Sequence, residues 1–100
     1  MSRPVTFHRA ARAELHEAAQ WYNAETAGLG DEFLTEIKTA LTRIALMPEA
    51  FPNVYRDIHK AVITRRFDYC VYFRIRADDS IRILSVFHTS RNPSIWMLRR

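Results

Sequence analysis

The run K-A-V-I-T-R-R-F-D-Y-C-V-Y-F-R-I-R-A-D-D-S-I-R-I-L-S-V-F-H-T-S-R, residues 60–91, decides the fold. In its middle, Tyr69, Val71, Phe73 and Ile75 alternate with Cys70, Tyr72, Arg74 and Arg76. That period of two places one set of side chains on each face of a sheet. β-Branched and aromatic residues dominate, as a half-buried strand requires. Ala77-Asp78-Asp79-Ser80 follows with turn chemistry, because Asp and Ser side chains bond the backbone where a chain reverses. Ile81 to His88 reads as the return strand and Lys60 to Phe67 as the strand before, which makes a three-stranded meander. On the return strand, Ile81, Ile83 and Phe87 form one apolar face and Leu84 and Val86 the other, so the pattern leaves its buried face open.

Upstream, P-V-T-F-H (Pro4–His8) reads as a short edge strand with Pro at its start. Ala11, Leu15, Ala18, Ala19 and Tyr22 then fall on one stripe of a 3.6-residue helix over about residues 9–27. Arg12, Glu14, Glu17 and Glu25 are read as lying off that stripe. Gly28 is the expected C-cap, and Leu29-Gly30 the turn. Phe33, Ile37, Ala40, Leu41 and Ile44 mark a second amphipathic helix to about Met47, which Pro48 and Pro52 end. Two helices joined by so short a turn form an antiparallel hairpin. Past the meander, Pro93 opens a last helical turn carrying Ile95 and Trp96. The order β-α-α-β-β-β predicts an α+β fold: an N-terminal strand and an antiparallel helical hairpin packed on an antiparallel β-sheet. One hundred residues without linker or repeat imply a single domain over 1–100.

Composition narrows the function classes. Apolar residues make up 48% and charged residues 26%, as in a globular protein rather than a disordered one. No run approaches the roughly 18 apolar residues of a membrane span, and the N-terminus lacks the apolar core of a signal peptide. A lone cysteine, Cys70, rules out an internal disulfide and fits a reducing compartment, so the expected location is cytoplasmic. Charge is divided unevenly. Residues 1–54 carry five Arg or Lys against seven Asp or Glu, a net of −2, whereas residues 55–100 carry ten against four, a net of +6. Thirteen of the fifteen basic residues are arginine, whose planar fork suits carboxylates and phosphates. Two readings stand for this face: a surface for an acidic partner, or ordinary solubility charge.

The usual catalytic signatures are missing from the sequence. His8, His16, His59 and His88 lack metal-ligand spacing, and there is no glycine-rich phosphate loop or nucleophile elbow. No cofactor is expected. Ser85 and His88 are close in sequence but on opposite faces of a strand, so they are not a catalytic pair. What remains is a cluster at the end of the sheet: His88, Ser90, Arg91, Asn92 and Trp96, with Arg65, Arg66, Tyr72, Arg74 and Arg82 on neighbouring strands. These residue types bind a phosphate backbone or an acidic protein surface, with Trp96 as an aromatic anchor or, on the alternative reading, a core plug. Trp21 borders the first helix's stripe, either buried or facing a partner.

Five stretches carry a family resemblance: E-L-H-E-A-A-Q-W-Y (14–22), G-L-G-D-E-F (28–33), M-P-E-A-F-P (47–52), R-R-F-D-Y-C-V-Y-F (65–73) and V-F-H-T-S-R-N-P-S-I-W (86–96). In this order, over nearly the whole chain, they resemble the RelE/ParE superfamily of toxins from type II toxin–antitoxin systems, and most closely its ParE, or plasmid-stabilisation, branch. The resemblance implies a small toxin held inactive by a cognate antitoxin, a DNA-binding protein through which alone operator DNA is contacted. ParE-branch toxins inhibit DNA gyrase; RelE-branch toxins cut messenger RNA on the ribosome. Cys70 stands where the nuclease branch carries a functional arginine, and Trp96 where it usually carries a tyrosine, which favours the ParE branch. A metal-independent cleavage needs a general base, and His88 is the only candidate. The expected target surface is Arg66, Tyr72, Arg74, Arg82, His88, Arg91 and Trp96, and the expected antitoxin contacts are Trp21 and Arg65.

Overall fold

A computed structural model describes residues 2–64 and 66–100 of the chain. The elements run β1 (Val5–Phe7), α1 (Arg9–Glu25), α2 (Leu29–Leu46), a 3-10 turn (Pro48–Ala50), β2 (Asn53–Tyr55), β3 (Ile58–Thr64), β4 (Tyr69–Ile75), β5 (Ile81–His88) and α3 (Ser94–Met97). The five strands form one sheet in the order β1-β5-β4-β3-β2. All neighbours are antiparallel except β1, which pairs with β5 in parallel, Val5 opposite Ile81 and Phe7 opposite Ile83. The expected α+β architecture is the observed one; the edge strand β1 is parallel, and β2 lies in the stretch from Phe51 to His59, which reads from sequence as a loop able to hold a short strand.

His8 starts α1: its Nδ1 accepts from the Ala10 N–H at 3.0 Å. The hairpin turn is tighter than the sequence suggests, since α2 begins at Leu29. Gly28 takes the left-handed φ of 84° that ends the turn. Gly30 has another role than the expected turn. It lies buried inside α2 where the helices cross, and a Cβ there would overlap the Ala19 carbonyl oxygen. Its N–H donates to Asn23 Oδ1 at 2.7 Å, which satisfies one of the donors left over at a helix start.

The third strand also differs from expectation. It spans Ile58–Thr64 rather than residues 60–67, because the chain reverses through residues 66–68 with Asp68 at φ 52°. Phe67 therefore leaves the strand and sinks into the core against Tyr22 and Phe33.

The open question of β5 is resolved by a bulge. Tyr72 faces Ser85 while the next residue, Phe73, faces Ile83, so Leu84 is an extra residue on β5. A bulge of this kind shifts the alternation by one. Ile81, Ile83 and Val86 consequently face the helices, and Leu84 and Phe87 face the reverse side. Two cores result. The larger joins Phe33, Ile37 and Ile44 of α2 to Val71 and Phe73 of β4. The smaller, on the reverse face, joins Ile58, Cys70, Tyr72, Leu84 and Phe87 under Trp96 of α3.

Candidate functional site

The expected site residues divide between the two ends and two faces of the sheet. Tyr69 opens β4 and His88 closes β5; the register sets them opposite each other, with rings edge-on at 5.2 Å. From α1, Tyr22 meets Tyr69 at 6.2 Å and Trp21 meets Tyr22 edge-on at 5.2 Å. The four rings line a cup of about 480 Å³. Tyr22 is tied down by donating its hydroxyl to the Phe67 carbonyl at 3.1 Å, whereas Trp21 stays 60% exposed. Burial pushes the Tyr22 and Tyr69 phenols above the usual tyrosine range, so both stay neutral donors.

Ser90 holds the His88 ring in place. Its N–H donates to His88 Nδ1 at 3.1 Å, and its hydroxyl lies 2.7 Å from the same nitrogen. Both contacts fall on Nδ1, so Ser90 orients the ring from that side.

Beside the cup lies an ionic node that the sequence reading misses. Glu14 Oε1 accepts from Ser85 Oγ at 2.8 Å, from the Val86 N–H at 3.2 Å and from Arg99 Nη1 at 2.9 Å. Arg99 also donates to the Leu84 carbonyl at 3.1 Å. β1 pairs with β5 only as far as Ile83, so these two side chains serve the backbone of β5 where no neighbouring strand does. Glu14 is thus not off the buried stripe as expected. It stands three residues after Ala11 and four before Ala18, both buried, and that spacing is the signal for it. Arg91, half exposed, lies 4.0 Å from Glu14 Oε2 and 4.9 Å above the Phe87 ring.

The remaining expected residues lie elsewhere. Tyr72 and Trp96 stack on the reverse face with centroids 3.9 Å apart, both buried. Their surfaces are spent on each other, and burial pushes the Tyr72 phenol up to about 12. Trp96 Nε1 is buried without a hydrogen-bond partner among the described residues. Arg74 and Arg82 face each other across β4 and β5. Arg74 clamps Asp57 at 2.8 and 3.1 Å, and this fork holds the Asp57 carboxyl below the usual range. Arg82 reaches Thr6 on β1 at 3.3 Å. Arg66 bonds Glu32 of α2 at 3.2 Å over the Phe67 ring. Arg65 lies outside the described residues. The structure therefore unites Trp21 with His88, with Arg91 following in the chain, and sets Tyr72, Arg74, Arg82 and Trp96 on the reverse face. Among the described residues no three His, Cys, Asp or Glu side chains are grouped to hold a metal, and no helix is long and apolar enough to cross a membrane.

The family model for the ParE toxin of the type II toxin–antitoxin system parDE matches residues 5–93. The chain belongs to the ParE toxin family. Among solved structures, the chromosomal ParDE toxin–antitoxin system from P. aeruginosa contains a similar chain, with a TM-score of 0.74 at 14% identity. The match covers 87% of this chain and 96% of that one, and at such identity it speaks for the shared fold. No curated protein sequence matches. Family membership makes this ParE-family chain a toxin of a type II toxin–antitoxin system.

Proposed function

We propose that this ParE-family toxin arrests growth in the cytoplasm by binding DNA gyrase stoichiometrically, cutting no nucleic acid itself, and that a cognate antitoxin neutralises it by covering the cup around Trp21. The observation that carries the non-enzymatic reading is the engagement of His88 by Ser90. His88 is the one candidate general base, and its Nδ1 accepts the Ser90 N–H and contacts the Ser90 hydroxyl. A nitrogen engaged in this way is poorly placed to deprotonate a ribose hydroxyl, whereas an imidazole fixed at a surface suits hydrogen bonding to a partner. Around it, the Trp21 indole and the Arg91 guanidinium are exposed. Trp and Arg are the side chains that most often anchor protein interfaces. An exposed aromatic cup is also the kind of surface that an amphipathic partner segment covers.

The test is a supercoiling assay on relaxed plasmid with purified chain, run with and without antitoxin. Inhibition or trapped cleaved DNA that the antitoxin reverses is the expected result. Normal supercoiling with a preparation that arrests growth, together with cut messages on translating ribosomes, would overturn the proposal in favour of the RelE-type activity.

A further inference from the structure

At the far end of β4 from the cup, the loop after β2, the end of β4 and the residues after α3 enclose an open groove of about 440 Å³. Its walls hold Arg56, Arg74, Arg76, Arg99 and Arg100, and Met97 and Leu98 supply its apolar surface. We propose that this groove binds an acidic segment of a protein partner, one that places an apolar side chain beside its carboxylates.

Three observations choose that occupant. First, the groove already holds a carboxylate: Arg74 grips Asp57 through Nε and Nη2, the fork geometry of arginine–carboxylate recognition. Second, it already holds main-chain carbonyls, since Arg74 Nη1 donates to the Arg99 carbonyl at 3.1 Å and Arg76 Nη2 to the Arg100 carbonyl at 3.3 Å. Third, Leu98 is 80% exposed within it. A phosphate backbone offers nothing to a bare leucine, whereas a peptide side chain removes it from water. Among the described residues no aromatic ring lines the groove for a base to stack on, and the Arg56 guanidinium lies over the face of the neighbouring Tyr55 at 5.2 Å. Arg56 and Arg76 are exposed, and neither is held by a carboxylate among the described residues, so their guanidinium groups keep donors for the partner.

The experiment is calorimetric titration of the full chain with a short synthetic peptide of alternating Glu and Leu. An alternating Glu–Ser peptide, a mixed-sequence duplex DNA and inorganic phosphate are run in parallel. The Glu–Leu peptide is expected to bind most tightly and to weaken as salt is raised. The exposed double variant Arg56→Gln/Arg76→Gln leaves Arg74 and Arg99 in place to preserve the fold, and weakens that binding roughly tenfold, which is about 1.4 kcal/mol. Leu98→Ser reduces the Glu–Leu peptide to the level of Glu–Ser. Duplex DNA binding more tightly than the peptide, with loss in the same double variant, would make the groove a phosphate site and overturn the proposal. Peptide binding unchanged in the double variant, or no binding at all, would overturn it equally.

Discussion

Replacing Glu14 by Ala should remove about 4 kcal/mol of folding stability. Its side chain is 11% exposed and that of Arg99 14%, so the pair sits largely out of water. Deleting one member of a buried pair strands the other charge, which costs about 3–5 kcal/mol when burial is complete and about 3 kcal/mol here. The Val86 N–H, which has Glu14 Oε1 at 3.2 Å, adds about 1 kcal/mol as an unmet donor. For a domain of this size the midpoint of thermal unfolding should fall by roughly 15–30 °C. Glu14→Gln keeps an acceptor for Ser85 and Val86 and should lose about half as much. Urea unfolding followed by circular dichroism reads all of these values. A cycle with Glu14→Met, Arg99→Met and the double variant isolates the pair, and the double variant should be more stable than the sum of the singles by about 1–2 kcal/mol. If Glu14→Ala loses less than about 1 kcal/mol, or the singles add without coupling, the carboxylate and guanidinium do not stand in for a strand beside β5.

Other perturbations test separate parts of the fold. Tyr72 has its folded value raised to about 12, above the ordinary tyrosine value of about 10. The neutral phenol therefore stabilises the fold in full below about pH 10, and this contribution is lost as pH rises toward about 12. Tyr72→Phe should flatten alkaline unfolding in that window, and an unchanged profile would refute the assignment. Asp57 runs the other way: its lowered value makes the contribution present above roughly pH 4 and lost as pH falls below it. Asp57→Asn should therefore remove part of the acid sensitivity seen by fluorescence. Gly30→Ala should destabilise by about 1–3 kcal/mol, because the new methyl meets the Ala19 backbone rather than a movable side chain; a gain in thermal midpoint from higher helix propensity would contradict it. Trp21→Ala should leave stability within about 1 kcal/mol and weaken antitoxin binding by about 2 kcal/mol or more, read by calorimetry.

The elements legible in the sequence are those whose periodicity a single face imposes. The stripe from Phe33 to Ile44 is found where it is expected because it buries one side, and the alternation from Tyr69 to Arg76 because β4 keeps a strict period of two, although both its faces are buried. β5 resisted reading because it is buried on both faces and carries an extra residue, and no local signal distinguishes a bulge at Leu84 from an ordinary step. Phe67 closes the strand expected over residues 60–67, whereas the turn at Asp68 sends it inward. For the site, residue type identified Trp21, His88 and Arg91 but not their grouping, which depends on the β4–β5 register. Tyr69 was hidden as one more inward strand residue. Glu14 escapes a sequence reading because a carboxylate is expected in water, and the donors that make its burial tolerable are all distant in sequence, Arg99 being 85 positions away.

The parallel edge of the sheet orders events along the chain. β1 closes against Ile81, Arg82 and Ile83, so the first strand waits for the last. Pairings of such sequence separation form late, since the loop must close before the contact repays it. During synthesis the helical hairpin can form locally, but its apolar stripe has no completed sheet to dock on until β5 has emerged. A chain stopped before Ile83 thus leaves the apolar stripe of the hairpin and the whole of β1 without their partners, and the surface that depends on the β4–β5 register does not exist until β5 is made.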